Sequence, residues 1–551
     1  MKLKQLLIAA FLLTTASSCI KEYDNLLQNP NYPSLSAADP DLYLNDIQLG
    51  FKDFYSDASN QGGLLTRQET LFGITYYNAF TPSSFDNEWA KAYMAVLKSA
   101  NAMMAPATEA GLTTHTGIAK TLQAYTMITL VDYFGDVPYS EALLGAENTT
   151  PAVDNGADVY AAALALLDDA IEDFGTAPTK APASDLFYAG DRAKWTAAAK
   201  TIKLKALMST RLVDAGAKDK IAALIAENDL IDTEAEDFTF KFGTKVVSPD
   251  SRHPKFANDY TGTAAGNTLG TYFMWALYAE KSMIDPRIRY YLYRQTDDIV
   301  AAIPNQTDLQ FTVPCLFRSS PYPAGVPYCM VGTAYLGRDH GNGEGSPPDG
   351  TYRTVYGVYP AGGAFDADQA KDRGDASVAN GRGAGIFPIW LSSYTDFLKA
   401  EAVLTLGLDG DVNELVESGI RKSFAKVFAF PAALGVTVPE TFVPSEGTQD
   451  DYVDIVKDQL SAAATSDAKL NVVMKEYYLS AFGNGIETYN NYRRTGKPDN
   501  MQPMLDAANA GSFIRSFFYP SSAANLNPNV TQKTTTTVKV FWDNNPDNFI
   551  N

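Results

Sequence analysis

Apolar and polar residues recur with a helical period over much of this chain. In residues 157–174, the apolar side chains Tyr160, Leu164, Leu167 and Ile171 return at steps of three and four, while acidic residues occupy another face. This spacing forms one apolar stripe, and it predicts an amphipathic α-helix. Similar patterns predict helices at about 87–104, 116–133, 157–174 and 194–213, and again at 394–407, 411–429, 450–463 and 468–491.

The helix starts in the first half lie roughly 40 residues apart, which is compatible with stacked, irregular tetratricopeptide-like helix pairs. Residues 20–45, with several Asn and Pro, are interpreted as a tether. Between about 235 and 390 the chain becomes rich in Gly, Pro, Tyr and Asn. We therefore expect a mostly α fold, a helical scaffold with a large loop-rich insertion. Structured loops held by such a scaffold are where binding surfaces tend to form. Helical blocks on both sides of the insertion favour one domain over residues 19–551.

The amino terminus predicts export. Lys2 and Lys4 precede the apolar run 6–13, and small residues follow directly before Cys19. Residues 1–18 are therefore predicted to be a lipoprotein signal peptide, with Cys19 resembling the lipidated cysteine of a bacterial lipobox. The alternative is an ordinary secretory signal with an incidental cysteine.

Charge and cysteine content narrow the function further. Lys and Arg total 44 against 64 Asp and Glu, a net charge of -20 that repels nucleic acid. Once Cys19 carries lipid, Cys315 and Cys329 remain as a pair in an oxidising compartment. A disulfide between them is favoured over two free thiols.

Sequence motifs that would indicate a nucleotide, a metal ion or a catalytic site are weak or missing. Three glycine-rich stretches lack the strand, loop and helix context of a phosphate site, so we expect no nucleotide cofactor. The three histidines form no ligand pair, and we interpret them as surface or loop residues. Two acidic stretches, at 409–417 and 366–375, leave a cation site open, although a helix-capping turn is favoured for the first. No catalytic motif is found, and we expect a protein that is not an enzyme.

Seven stretches carry a recognisable pattern when they are taken in order along the chain. They are "DYFGDVPYSEAL" (132–143), "KLKALMSTRLV" (203–213), "IDPRI" (284–288), "WLSSYTDFLKAEAVL" (390–404), "NNYRRTGKPDN" (490–500), "RSFFYPSSAANLN" (515–527) and "KVFWD" (539–543). Together they resemble segments of the SusD/RagB family of outer-membrane nutrient-binding lipoproteins, which implies that the loop-rich part carries the ligand site. The resemblance implies a lipid-anchored protein on the outer face of the outer membrane. It would bind oligosaccharides or peptides and deliver them to a SusC-like TonB-dependent β-barrel transporter.

Aromatic residues make up 12% of the chain, and rigid rings suit sugar-like ligands. The candidate ligand-binding residues are Tyr76, Tyr77, Asn78, Phe80, Tyr272, Trp275, Tyr322 and Tyr335. For each ring the alternative is packing within the scaffold. Trp195 and Trp390, at the starts of apolar helices, are assigned to the core.

The acids of residues 130–145 raise a separate question, because Asp132, Asp136 and Glu141 stand beside two tyrosines. Gly135 and Pro138 predict the end of a helix and a turn here. We therefore interpret the three carboxylates as hydrogen-bond acceptors that stabilise this corner by binding backbone amides and neighbouring helices. A secreted helical glycoside hydrolase, with two facing carboxylates, and a protein-binding helical-repeat scaffold remain as alternative functions.

Overall fold

The computed structural model describes residues 39–73, 75–260, 268–316, 328–330, 332–343 and 352–551. The predicted signal peptide 1–18, the lipidation site Cys19 and the candidate Tyr322 lie outside the described residues. The described chain is mostly α-helical, as predicted.

The helices fall into two blocks separated by a loop-rich stretch. The first block comprises α1 (Pro40–Leu65), α2 (Asp86–Ala90), a π-helical segment (Lys91–Leu97), α3 (Lys98–Glu109), α4 (Thr113–Phe134), α5 (Gly156–Gly175), α6 (Arg192–Thr210) and α7 (Ala217–Ala226). The second comprises α13 (Ser392–Leu406), α14 (Val412–Ala433), α15 (Glu446–Ala462), α16 (Ser466–Ser480), α17 (Gly485–Thr495) and α18 (Ser521–Leu526). Neighbouring helices pack in succession, α4 on α5 and α5 on α6 in the first block, α13 on α14 in the second.

Between the blocks the elements are short. The helices are α8 (Pro254–Tyr260), α9 (Thr271–Tyr278), α10 (Ile288–Tyr291), α11 (Ile299–Ala302) and α12 (Gln306–Thr312). The strands are β1 (Phe238–Lys241), β2 (Leu292–Tyr293), β3 (Val355–Tyr356) and β4 (Ile386–Trp390), and they pair antiparallel as β1 with β4 and β2 with β3. Short 3₁₀ turns lie at Pro82–Phe85, Gly145–Glu147, Glu234–Glu236, Pro314–Leu316 and Glu440–Phe442.

Helix α5 shows why the periodic pattern was informative. Its first turn is capped by Asn155, whose side-chain oxygen accepts from the amide of Ala157 at 2.9 Å. The predicted stripe is the buried face, with Tyr160 and Leu167 covered and Leu164 half-buried. The acidic face is left towards water.

Two of the differences from the predicted helix boundaries have a clear local cause. The stretch 468–491 is two helices, because Gly483 adopts a φ of 91° and the Asn484 side chain caps the amide of Glu487 at 3.1 Å. The predicted tether 20–45 ends earlier than expected, since α1 starts at Pro40 behind the capping side chain of Asp39.

One hydrophobic core joins the two blocks. Its buried members run from Leu44 in α1 to Ile550, and they include Trp195 and Trp390, both 0% exposed as predicted. Both helical blocks therefore bury their apolar faces in the same interior.

Helices α1 and α17 cross at backbone contact. A Cβ atom on Gly62 would overlap the carbonyl of Gly485, and a Cβ on Gly485 would overlap the carbonyl of Ser59. The Gly485 amide also donates to the Ser59 hydroxyl at 3.0 Å, across 426 residues of sequence. This crossing requires glycine on both helices.

The stretches that carry the family resemblance meet in buried polar clusters. Glu401 of α13 accepts from Arg494 of α17 at 2.8 and 2.6 Å, and Arg211 lies 3.0 Å from the same carboxylate. Glu401 and Arg494 have side chains at most 1% exposed. Three of the quoted stretches thus share one ion cluster, which Arg211, just after α6, completes.

Asp132 of α4 forms a second such cluster. Its carboxylate is 0% exposed and accepts from the indole of Trp542 at 2.9 Å, from the amide of Asn490 at 2.7 Å, and from the hydroxyl of Tyr160. These donors occupy its acceptor sites, so this acid holds three segments together instead of facing a ligand.

The other two acids secure the corner after α4, as predicted. Asp136 accepts from the amide of Gly156 at 2.8 Å, where α5 starts. Glu141 accepts from the Ala152 amide and from the Asn148 side chain, both at 3.0 Å. In the described part of the chain, the carboxylates of Asp136 and Glu141 thus accept hydrogen bonds from nearby backbone and side-chain amides of the corner.

We expect Asp136→Ala to lower the free energy of unfolding by about 0.5–2 kcal/mol, because it leaves a first-turn amide of α5 without its acceptor. Ligand affinity should stay at the wild-type value. Asp169→Ala, an exposed acid later in α5, serves as the matched control and should change stability by less. A variant that lost affinity while its thermal melting was unchanged would contradict the scaffold role.

Candidate functional site

An exposed aromatic loop lies between α1 and α2, in the described residues of segment 71–80. Its start is fixed where the amide of Gly341 donates to the carbonyl of Leu71 at 3.0 Å. Its middle is fixed where the amide of Tyr76 donates to the carbonyl of Ala510 at 2.9 Å. Segments distant in sequence thus hold the loop, which we call the aromatic loop.

Tyr76 points inwards and anchors the loop. Its ring is 2% exposed and packs edge-on against Phe513 at 5.2 Å. Its hydroxyl accepts from the guanidinium of Arg67 at 2.9 Å and lies 3.1 Å from Nε2 of His340. Burial raises the pKa of Tyr76 to about 12 although Arg67 opposes this, so the phenol stays protonated at neutral pH.

The neighbouring side chains point outwards. Tyr77 is 57% exposed, with its ring edge-on to Phe518 at 5.8 Å, and Asn78 is exposed beside it. Phe72 is 47% exposed and lies 5.8 Å from the guanidinium of Arg338. Two aromatic rings and an amide therefore face solvent on a loop whose base is firmly held.

The other candidate rings lie in packing contacts. Tyr272 is 0% exposed, and its hydroxyl donates to Asn500 at 2.9 Å and accepts from Lys475 at 2.7 Å. Trp275 is buried against Tyr328, with ring centroids 5.0 Å apart. In this conformation these rings offer no open face to a ligand.

Tyr335 and Phe80 occupy similar surroundings. Tyr335 is buried, with the guanidinium of Arg294 4.9 Å from its ring centroid. Phe80 is half-buried between Phe85 and Phe517, at 5.7 and 5.4 Å. Of the predicted residues that the structure describes, only Tyr77 and Asn78 are exposed.

Cys315 and Cys329 are bonded as a disulfide with Cα atoms 5.8 Å apart. Cys329 directly follows Tyr328, which packs on Trp275. The disulfide therefore joins the turn Pro314–Leu316 to the segment that follows Tyr328, beside α9.

Arg67 is the residue at this site that sequence reasoning missed. It is 0% exposed, donates to the carbonyls of Gln502 at 2.8 Å and Leu65 at 2.6 Å, and adopts a φ of 63°. A lone arginine after a helix has no local pattern that marks it. Its partners become apparent only in the fold.

The interpretation of the histidines as surface or loop residues is correct only in part: His253 and His340 lie in loops and His115 lies in α4, but none of the three is at the surface. His115, His253 and His340 are at most 3% exposed. Burial lowers the pKa of His340 well below its usual range, and it lowers the pKa of His253 to about 3. The imidazoles of His253 and His340 are therefore neutral at pH 7 and packed in the interior. His115 lies 2.9 Å from the carboxylate of Asp41.

The acidic stretches also have structural roles. Asp411 caps α14, accepting from the amide of Asn413 at 2.8 Å, as the capping interpretation predicted. Asp366 pairs with Arg294 at 2.5 Å. In the ranges that the structure covers, no three His, Cys, Asp or Glu side chains converge as metal ligands would.

Comparison with known families decides the identity of the fold. Residues 36–303 match a family described as starch-binding and associating with the outer membrane, and residues 369–545 match the SusD and RagB outer-membrane lipoproteins. The chain belongs to the SusD/RagB family. Members of this family are outer-membrane proteins that bind nutrients or glycans.

Solved SusD/RagB structures share this fold over nearly the whole chain. A SusD/RagB family protein from Bacteroides thetaiotaomicron is 18% identical, with a TM-score of 0.67, covering 92% of this chain and 100% of the other. A chitin-binding SusD homolog from Flavobacterium johnsoniae is 18% identical, with a TM-score of 0.63, covering 92% and 99%. A comparison with curated proteins gave no match.

The family is a binding family rather than a catalytic one, and its members are outer-membrane-associated lipoproteins. None of the helices in the described ranges is long and apolar enough to span a membrane. In this SusD/RagB chain the quoted resemblance stretches lie in the scaffold, whereas the aromatic loop carries the exposed candidate residues Tyr77 and Asn78.

Proposed function

We propose that this protein is a cell-surface lipoprotein that binds an oligosaccharide at the aromatic loop and delivers it to a SusC-like TonB-dependent β-barrel. Lipid on Cys19 would anchor it to the outer membrane. The observation that carries the proposal is the pair of exposed groups Tyr77 and Asn78 on a loop whose neighbour Tyr76 is buried.

The chemistry of these groups suits a sugar. A tyrosine ring presents an apolar face to the C–H groups of a pyranose, and an adjacent amide can both donate to and accept from hydroxyls. Arg67 and Ala510 hold Tyr76, which restrains the backbone next to Tyr77, and the Tyr77 ring contacts Phe518. A preorganised ring loses less entropy on binding.

The descriptions of similar proteins support a glycan as the ligand class. A structurally similar protein is named as chitin-binding, and one matching family is described as starch-binding. At 18% identity these names suggest a glycan without fixing its linkage. Chitooligosaccharides and maltooligosaccharides are therefore the first probes, with peptides as the contrasting class.

We expect Tyr77→Ala to weaken binding of the best oligosaccharide roughly 5- to 30-fold, as the loss of about 1–2 kcal/mol of stacking requires. Isothermal titration calorimetry on the soluble protein, starting after Cys19, measures the change. The melting temperature of the variant should be close to that of wild type, because the Tyr77 ring is 57% exposed and contributes little to packing.

Two control variants sharpen this test. Tyr77→Phe keeps the ring and should retain most of the affinity. Leu526→Ala removes a side chain that is 77% exposed on α18 and should leave binding unchanged. Equal affinity of wild type and Tyr77→Ala for every glycan would reject the aromatic loop as the site.

The same titrations separate the rival functions. Hydrolysis of a bound oligosaccharide by the purified protein would favour a glycosidase. Absence of affinity for glycans and peptides, with a β-barrel still copurifying from native membranes, would favour a protein-binding scaffold.

A further inference from the structure

A polar cavity opens beside α1, away from the exposed rings of the aromatic loop. Its volume is about 290 Å³, and its walls come from α1, α8 and the segments around Tyr356 and Phe387. This volume lies at the lower limit of the roughly 300–1,000 Å³ typical of small-molecule sites. We call it the Lys255 cavity.

The charged groups in its wall compensate one another. The ammonium of Lys255 lies 2.5 and 2.7 Å from the two carboxylate oxygens of Glu69 and 2.6 Å from the Asn60 side-chain oxygen. Tyr356 donates its hydroxyl to Glu69 at 2.6 Å. Asp57, at the rim, pairs with Lys91 at 2.8 Å. The cavity therefore has no uncompensated charge with which to select an ion.

Other polar groups of the lining remain available. Within the described part of the chain, the side chains of Ser56 and Asn258 make no hydrogen bond, and the Asn60 amide nitrogen donates to no group. Only one carboxylate oxygen of Asp57 is used. A hydroxyl, two amides and a carboxylate oxygen thus offer both donors and acceptors around one space.

We propose that the Lys255 cavity binds one neutral polyhydroxylated molecule of about monosaccharide size. Such a ligand has hydroxyls that donate and accept, and these match the mixed set of Ser56, Asn60 and Asn258. An ionic ligand would meet a wall whose charges are already paired. An apolar ligand would leave those polar groups without water or partner.

This site does not depend on the oligosaccharide function proposed above. None of the exposed residues of the aromatic loop lines the cavity. Along the chain, Gln68 and Glu69 of the cavity wall lie just before the aromatic loop, after Arg67.

The test is a titration of the soluble protein with glucose, galactose, N-acetylglucosamine and myo-inositol, followed by calorimetry and by protein NMR shifts. We expect saturable binding of at least one probe. Asn258→Ala, an exposed residue with no internal hydrogen bond, should weaken it about 3- to 10-fold. Ser56→Phe, which fills the cavity, should abolish it, with melting measured to confirm folding.

Tyr77→Ala is the cross-control and should leave monosaccharide binding unchanged. The proposal is overturned if no probe binds, if the folded Ser56→Phe variant still binds the monosaccharide, or if Tyr77→Ala abolishes monosaccharide binding. Monosaccharide binding that persists while every oligosaccharide fails would reject the aromatic-loop function and keep the cavity.

Discussion

Replacing Glu401 with alanine is expected to lower the free energy of unfolding by about 3–5 kcal/mol, the usual cost of breaking a buried ion pair from one side. The variant leaves Arg494 and Arg211 as buried cations without their shared carboxylate. Burial alone would raise the pKa of Glu401, but the two guanidiniums hold it below its usual value. The carboxylate is therefore ionised in the folded protein at neutral pH. Removing it should lower the free energy of unfolding by the full amount at that pH.

Urea denaturation of wild type and variant measures this difference at pH 7. Glu417→Ala on α14 is the matched control, because Glu417 is half-buried and its ion pairs with Arg421 and Lys457 are partly exposed to solvent. Exposed pairs contribute about 0–1 kcal/mol. Similar losses in both variants would show that the buried cluster has no special role in stability.

The second large effect concerns pH and Glu88 in α2. This side chain is 1% exposed, and neither carboxyl oxygen has a hydrogen-bond partner among the described residues. Burial, with the nearby charge of Asp57, raises the pKa of Glu88 to about 8. The Gln61 amide opposes this shift, although it does not reach hydrogen-bonding geometry with either oxygen.

The sign of the effect follows from proton binding. The folded protein keeps the Glu88 proton up to a pKa of about 8, whereas the unfolded chain loses it above the ordinary value of 4.5. Between these two values the unfolded state gains stability as pH rises, so the folded protein becomes less stable by on the order of 3–5 kcal/mol in total. Above pH 8 this contribution levels off.

We therefore expect Glu88→Gln to be more stable than wild type at pH 8.5, by about that amount, and close to wild type at pH 4.5. Glutamine has nearly the same shape but no proton to lose. Denaturation midpoints measured from pH 4.5 to 8.5 test this, with Glu109→Gln, an exposed residue at the end of α3, as the control. Parallel pH profiles for wild type and Glu88→Gln would contradict the expectation.

Much of the scaffold could be predicted because helices leave a local signal. The stripe of α5 and the turn after α4 are visible in a few consecutive residues, and the corner acids follow from them. Helix α9 carried a similar signal, because "TYFMWALY" is apolar on all sides, and such a helix is usually buried. That pattern argues against Tyr272 and Trp275 as surface rings.

The sites are less accessible to sequence reasoning because their parts are distant along the chain. Asn60, Lys255 and Tyr356 meet in one cavity, yet no spacing rule connects them. Tyr76 and Tyr77 are adjacent and chemically equal, and only the partners Arg67 and Ala510 decide which ring is buried. Tertiary contacts determine both outcomes.

The glycine crossing of α1 and α17 has a kinetic consequence. Its partners Ser59 and Gly485 are 426 residues apart in sequence. Forming this contact therefore costs the conformational entropy of closing a very long loop of chain. The face of α1 that carries Gly62 therefore gains its α17 partner only after residue 485 has been reached, although α1 also packs on α3 and α4, which are nearer in sequence. We expect this crossing to be among the late contacts formed in folding.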